Sequence, residues 1–303
     1  TMAEILLSLT IIGVVAAITL PSLTGNINER TWNTQRKALY ARMSQAIALM
    51  PALNGYGTID DTTDTAAETF VTAGLSKVLK INNICDSEHL EDCGLASKIT
   101  TLGGNTNDLP VALSDLNPGL LENAVFLNFP DTKPAAFETA NGESVLTFYN
   151  PNCTASDVFY TGQDVNGNAG QYMKQQVCTN FIFDLNGSKG PNTVGKDIGI
   201  MSVIYSSDSV VVMPVQPKVM NQAKKYAEGS SLCKDYDAEY RMPNIEELLS
   251  VYYNRQLFDW DGGFTWSSTS IDKDTAWVFG YFGGVKYPTA KDQSRYVVCV
   301  RRN

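Results

Sequence analysis

The chain has 303 residues, of which 44% are hydrophobic and 18% are charged, and its formal net charge is −9. This acidic balance gives no support for nucleic-acid binding, because phosphate contacts need clustered lysine and arginine. The only histidine, His89, leaves little for a multi-histidine metal site or a histidine-based catalytic centre. We therefore expect a folded protein that is not an enzyme and has no nucleic-acid partner.

The first 23 residues are the most apolar part of the chain, and their run from Ile5 to Leu20 approaches the length that spans a bilayer as a helix. No basic region precedes the run and an acid, Glu4, begins it, so we expect it not to be a signal peptide. A carboxylate in an apolar helix is costly unless it is paired or solvated. Glu4 is thus either a functional group or an interfacial residue stabilised by the helix dipole.

Beyond Pro21 the sequence continues as a one-sided helix. Apolar residues recur at spacings of 7, 4, 4, 3 and 3, at Trp32, Leu39, Met43, Ile47, Met50 and Leu53. Basic residues are assigned to the other faces: Arg30, Arg36, Lys37 and Arg42. The pattern predicts a rod over residues 1–53, on the order of 75 Å long. Its half over residues 1–24 is apolar all round, and a globular domain is expected to pack on the second half.

Residues 54–216 are expected to form a globular β-sheet domain with a loop-rich insertion, which holds a short helix near Ala66 to Leu79. The predicted strands are Ala124 to Phe129, Ser144 to Tyr149, Gln176 to Leu185 and Asp197 to Val215.

Between the last two strands lies a loop rich in oxygen-bearing residues and glycine. Its candidate Ca²⁺ ligands are Asp184, Asn186, Ser188, Asn192 and Asp197, since Ca²⁺ takes six to eight oxygen ligands. The favoured alternative is a hairpin turn at Asn186-Gly187, with Pro191 shaping a second turn. No cofactor is required in either case.

After Pro217 helical spacing predicts helices over Val219 to Glu228 and Asn244 to Tyr253, followed by a closing strand Arg295 to Arg301. Of the tryptophans in this part, Trp266 and Trp277 are expected in the core. Trp260 stands in a turn-like segment and is the candidate exposed ligand contact.

Six cysteines, with no C-x-x-C pair, predict three disulfides in an oxidising compartment. Fifteen connectivities are open in principle. The simplest joins neighbours: Cys85 with Cys93, Cys153 with Cys178, and Cys233 with Cys299.

The run EILLSLTIIGVVAAITLPSL, which begins at Glu4, resembles the mature N-terminus of type IV pilins. In that family a prepilin peptidase cleaves before a phenylalanine that is then N-methylated, and a glutamate stands fifth. Here the glutamate is fourth, as if one residue before Thr1 were missing. The resemblance implies that Glu4 neutralises the N-terminal ammonium of a neighbouring subunit. The expected filament-assembly residues are Glu4, Ile5, Leu6, Leu9, Ile12, Val15 and Pro21.

The blocks YRMPNIEELLSVY, FTWSST and YVVCVRR resemble, in that order, a small bacterial domain of the C-type-lectin-like and sulfatase-modifying fold group. The acidic tripeptides of a calcium-dependent sugar site are absent. Together the two resemblances imply an α+β fold in which a long N-terminal α-helix packs on an antiparallel β-sheet, with a C-type-lectin-like α+β module over residues 217–303.

The function that these features imply is a structural subunit, a major pilin, of an extracellular type IV pilus on the bacterial cell surface. Its partners would be identical subunits in a helical homopolymer and, before polymerisation, the inner membrane, the prepilin peptidase and the pilus assembly machinery. The alternative is a minor pilin or pseudopilin that acts as an adhesin or in type II secretion, through a surface or glycan ligand of the C-terminal module. A third reading is a single-span surface protein that never polymerises.

Overall fold

A computed structural model describes most of the chain after residue 28. The described residues are 29–50, 61, 63–102, 110–113, 116, 133–151, 159–163, 169–173, 177–206, 209–258, 260, 262–281 and 284–301.

The described residues form sixteen strands and four α-helices, with short 3-10 and π turns between them. The strands are β1 (Ile81–Cys85), β2 (Lys98–Thr100), β3 (Pro110–Ala112), β4 (Ala135–Thr139), β5 (Ser144–Tyr149), β6 (Phe159–Gln163), β7 (Ala169–Met173), β8 (Val177–Asp184), β9 (Ile198–Ser206), β10 (Ser209–Val215), β11 (Pro217–Lys224), β12 (Tyr240–Arg241), β13 (Phe264–Ser270), β14 (Thr275–Gly280), β15 (Val285–Ala290) and β16 (Arg295–Arg301). The helices are α1 (29–49), α2 (Ala66–Thr69), α3 (Tyr226–Tyr236) and α4 (Ile245–Tyr253).

Two large sheets organise these elements. The first sheet is antiparallel with the order β1-β4-β5-β8-β9-β10, and the second has the order β11-β16-β13-β14-β15-β7-β6, with β12 added on β16. Strands β2 and β3 form a separate pair. In the second sheet β13 and β16 are parallel and the other pairs are antiparallel. Strand pairing therefore crosses residue 217, because β6 and β7 precede it and join strands that follow it.

The first sheet is covered on both faces, which explains why β5 and β8 are buried along their whole length. On one face Phe137 and Phe181 lie in a cluster with Leu39 and Met43 of α1 and Phe70. The opposite face joins a cluster with α4 and the second sheet, whose shared members include Leu146, Ile182, Tyr252, Phe279 and Val298. The far face of the second sheet is closed by α3. Because side chains alternate between the two faces of a strand, they form three separate apolar layers: one under α1, one between the two sheets and one under α3.

The predicted fold class is wrong. The described residues are mostly β-sheet, and their helices are short, the longest covering 29–49. They contain no helical rod of about 50 residues packed on a single sheet. The physical reason is that the resemblances that imply this fold class rest on short sequence motifs, whereas most of the core comes from pairing of strands that are distant along the chain. Residues 1–28, the first half of the predicted rod, lie outside the described residues.

Some of the predicted strands and helices agree with the structure, and others do not. Strands β5 and β16 have the predicted bounds, and α4 begins where Asn244 accepts a hydrogen bond from the Glu247 backbone at 2.8 Å, a capping box. The helix predicted over Val219 to Glu228 is wrong: its first half is β11, and a helix begins only at Tyr226. The predicted strand Ala124 to Phe129 lies outside the described residues.

Disulfides join Cys85 to Cys93 and Cys233 to Cys299, the pairs that the sequence predicts. The first closes the loop between β1 and the turn that follows it, and the second fastens α3 to β16. Cys178 of β8 is also disulfide-bonded, and its predicted partner Cys153 lies outside the described residues.

Candidate functional site

The predicted filament-assembly residues, from Glu4 through Pro21, all precede the first described residue. The structure therefore leaves their roles as predictions. None of the helices in the described part of the chain combines the length and the hydropathy needed to cross a membrane.

The candidate calcium loop connects β8 to β9 and is held together by its own hydrogen bonds. The Asp197 carboxylate accepts from the backbone N–H groups of Asn192 and Thr193, both at 2.8 Å. Asn186 donates its side-chain amide to the Gly190 carbonyl at 2.8 Å, and the Gly190 N–H donates to the Asn192 side-chain oxygen at 3.1 Å. Asn192 and Asp197, two of the three candidate ligands that accept hydrogen bonds from backbone N–H groups, thus hold the loop together, and Asp184 is the third.

Two other oxygens of the same loop are buried and have no hydrogen-bond partner. Asp184 is 0% exposed, and only its Oδ1 accepts a hydrogen bond, from the Asn186 N–H at 3.1 Å. Asp184 Oδ2 and Asn186 Oδ1 have none. Burial, helped by the charge of Asp197, raises the pKa of Asp184 to about 7. Ser188 is exposed. The described residues contain no group of three or more His, Cys, Asp or Glu that could hold a metal ion.

Trp260 is not the exposed residue that the sequence predicts. It is 3% exposed, and its ring lies 5.6 Å from that of Tyr281 and 6.4 Å from that of Tyr252. It belongs to the aromatic core between α4 and the second sheet, so its ring is not available for stacking on a ligand in this structure. Trp266 is buried, while Trp277 is half-buried under the ammonium of Lys286.

A cavity of about 320 Å³ opens where the start of α1 meets the loop before β9 and the outer end of the second sheet. Its polar and charged lining comes from five regions of the chain: Glu29, Thr193, Lys196, Gln216, Lys218, Tyr236, Tyr240 and Arg301. Tyr236 and Tyr240 meet edge to face at 5.2 Å between ring centroids. The volume lies in the range of small-molecule sites.

The cations of this cavity differ in how they are paired. Arg301 lies 2.5 Å from the Glu239 carboxylate and 3.9 Å from that of Glu29. Within the described residues, neither Lys196 nor Lys218 has a carboxylate at ion-pair distance. The Lys218 ammonium lies 5.7 Å from the Tyr236 ring centroid.

Behind the cavity wall, Arg36 is a buried cation that the sequence prediction placed on an outer face. It is 4% exposed, and its guanidinium donates to Gln216 Oε1 at 3.3 Å and to the carbonyls of Gly195 and Lys196. Burial, reinforced by the charge of Arg301, lowers the pKa of Arg36 to about 10.

The burial of Arg36 had a signal in the sequence. It stands four residues after Trp32 and three before Leu39, which is a position within the apolar stripe of α1. A charged residue at such a position indicates a buried group that needs polar partners.

No protein-family model matches the chain, and no curated protein matches it. Among solved structures, the chain is similar to one from "The von Willebrand Factor mutant (I546V) A1 domain-botrocetin Complex", with 9% sequence identity and a TM-score of 0.23. The match covers 29% of this chain and 89% of that one. A likeness of this size carries no argument about function.

Proposed function

We propose that this chain is a non-enzymatic structural subunit of an extracellular type IV pilus on a bacterial cell surface. The observation that carries the proposal is the apolar run from Ile5 to Leu20 headed by Glu4, which resembles the assembly segment of type IV pilins. In this role Glu4 pairs with the N-terminal amine of an identical subunit. A buried ion pair adds little stability but can set the register of a helical assembly.

Two further features support an extracellular structural role. The disulfides Cys85–Cys93 and Cys233–Cys299 are typical of proteins that fold in an oxidising compartment. Before polymerisation the subunit would reside in the inner membrane, where the prepilin peptidase and the assembly machinery act on it.

The proposal is tested by Glu4→Ala in cells that express the full chain. We expect sheared surface filaments to disappear while the chain accumulates in the inner membrane, because the unpaired N-terminal amine opposes entry into an apolar bundle. Ser8→Ala, in the same apolar segment, is the matched control and should leave filaments unchanged.

Electron microscopy of the sheared material, with mass spectrometry of the N-terminal peptide, identifies the subunit directly. Filaments built from this chain, with a methylated N-terminus, support the major-subunit role. Filaments in which the chain is only a rare component favour the alternative, a minor pilin or pseudopilin that acts as an adhesin or in secretion. Filaments that form normally from the Glu4→Ala chain contradict the proposed role of Glu4.

We also propose a structural Ca²⁺ at the loop between β8 and β9. The observation that favours it is the pair of buried oxygens without partners, Asp184 Oδ2 and Asn186 Oδ1. Because Asn192 and Asp197 bond to backbone N–H groups, carbonyls and water would complete the ligand set. Thermal unfolding of the purified protein with CaCl₂, against MgCl₂ as control, tests this. An increase in Tm with Ca²⁺ that Asp184→Asn abolishes supports the site, and equal Tm values with both salts contradict it.

A further inference from the structure

The cavity beside the start of α1 has the charge of an anion-binding site. Its lining carries three cations, Lys196, Lys218 and Arg301, against one carboxylate, Glu29. Glu239 neutralises Arg301 from outside the lining at 2.5 Å. Three cations against Glu29 and Glu239 leave a local net charge of +1, and among the described residues the two lysines have no carboxylate at ion-pair distance. In a chain with a net charge of −9, such a local excess of positive charge stands out.

Arg36 adds a second, independent reason to expect an anion. Gln216 and the carbonyls of Gly195 and Lys196, which hold its guanidinium, also line the cavity. These partners are neutral oxygens, and its Nε is buried without an acceptor. A buried cation is stabilised when an opposite charge comes near, and Glu29 and Asp197 supply part of that charge. An anionic ligand bound in the cavity would supply more of this negative charge.

The size and polarity of the cavity narrow the class of ligand. A volume of about 320 Å³ is larger than an inorganic anion or a single carboxylate side chain would fill. Thr193, Gln216 and the hydroxyls of Tyr236 and Tyr240 offer donors and acceptors for hydroxyl groups. Tyr236 is 50% exposed, so part of its side chain can contact the C–H face of a sugar ring.

We propose that this cavity binds a monosaccharide-sized sugar that carries an anionic group, either a sugar acid or a sugar phosphate. Lys196 and Lys218 contact the anion, Arg36 supports it electrostatically from behind the wall, and the tyrosines contact the ring. The site is separate from Trp260, and its ligand is independent of filament assembly through Glu4.

The test is isothermal titration calorimetry of the full chain in detergent with glucuronate, glucose 1-phosphate and glucose. We expect at least tenfold tighter binding of one or both anionic sugars than of glucose, and weaker binding at high salt. Preference for glucuronate assigns the anion as a carboxylate, and preference for glucose 1-phosphate assigns it as a phosphate.

The decisive variant is Lys196→Ala with Lys218→Ala, because neither lysine forms an ion pair with any residue that the structure describes. We expect at least a tenfold loss of affinity with Tm unchanged. The matched control is Lys77→Ala with Lys80→Ala, two exposed lysines that are not part of the cavity lining, and this variant should bind like the unaltered chain.

Three results would overturn the inference: no binding of either anionic sugar, equal affinity for glucose, or full affinity in the Lys196 and Lys218 double variant. A short glutamate peptide that binds through the same lysines while the sugars do not would also overturn it, by making the site a protein contact. Filament assembly should be normal in the double variant, and Glu4→Ala should bind the sugar normally, so this inference and the filament proposal can fail separately.

Discussion

Helix α1 covers one face of the first sheet and α3 covers one face of the second sheet, and each helix is attached to its sheet by a different kind of contact. On the first sheet, α1 is tied to the turn between β4 and β5 by Arg42, whose guanidinium lies 2.5 Å from the buried carboxylate of Glu143. On the second sheet, α3 is tied to β16 by the Cys233–Cys299 disulfide. One attachment is an ion pair, which salt screens, and the other is a covalent bond that depends on redox conditions.

The ion pair and the disulfide also differ in the side chains that surround them. Thr139 donates a further hydrogen bond to Glu143, so the ion pair lies within a buried polar cluster. The disulfide needs no such cluster and lies among apolar side chains such as Trp266 and Val297. The α1 side therefore buries an ion pair, whereas the α3 side is held by a covalent bond.

Removal of the long-range disulfide should have the largest effect. Cys233→Ala with Cys299→Ala opens a loop of 66 residues and should reduce the free energy of unfolding by about 4 kcal/mol, measured in urea. Cys85→Ala with Cys93→Ala opens a separation of 8 residues and should cost about 2.5 kcal/mol. Equal losses for the two pairs would show that loop entropy does not set their contribution.

Arg42→Met should come next. It leaves the Glu143 carboxylate buried without its cation and should reduce the free energy of unfolding by about 3 kcal/mol. Glu143→Gln in the same chain should recover part of that loss, because it removes the unpaired charge. The control is Lys37→Met, an exposed residue of α1, which should stay within about 0.5 kcal/mol of the unaltered chain. If Arg42→Met reduces the free energy of unfolding no more than the control does, the ion pair does not hold α1 on the first sheet.

Asn180 of β8 and Asn254, which follows α4, join the first sheet to the end of α4 through reciprocal amide hydrogen bonds of 2.8 and 2.9 Å. Asn254→Ala should cost about 2 kcal/mol because the buried Asn180 amide loses a donor and an acceptor. Gln256→Ala, exposed on the next turn, is the control. If chemical denaturation gives the same midpoint for both variants, the amide pair does not couple the first sheet to the end of α4.

The smallest effect is a dependence of stability on pH from Asp184. Its pKa is raised to about 7 in the folded chain, so the folded state holds a proton that the unfolded carboxyl has already lost above about pH 4. Stability from this group therefore falls as pH rises, by about 1 kcal/mol between pH 6 and pH 7. In Asp184→Asn this decrease should be absent when unfolding is measured without calcium at both pH values. An unchanged pH profile in the variant would contradict the assignment.

Local signals predicted some elements well. Strand β5 is β-branched and aromatic between turn residues, and α4 follows an Asn244 cap with Glu247 three residues on, so both have the bounds that the sequence indicates. The two described disulfides could be predicted because each joins cysteines that are near each other along the chain or lie within one segment of it.

Features that depend on distant contacts were not predictable in this way. The segment after Val219 has helical apolar spacing, but its backbone pairs with β16 and Asn221 takes a positive φ of 49° at an irregularity in that pairing. Trp260 stands in a turn-like sequence, but in the fold the rings of Tyr252 and Tyr281 pack against it. Arg36 is buried by a loop some 160 residues away in sequence. The fold class failed for a related reason, since the short motifs that carry the two resemblances do not report which strands pair.

The position of β16 has a consequence for the order in which the molecule can be built. This strand is the last one along the described chain, yet it lies between β11 and β13 in the second sheet and also pairs with β12. Until it emerges from the ribosome, β11 and β13 each present an unpaired backbone edge, and Cys233 has no Cys299 to oxidise with. We expect this half of the chain to fold late and slowly, because its contact order is high, and to need protection from aggregation until synthesis is complete.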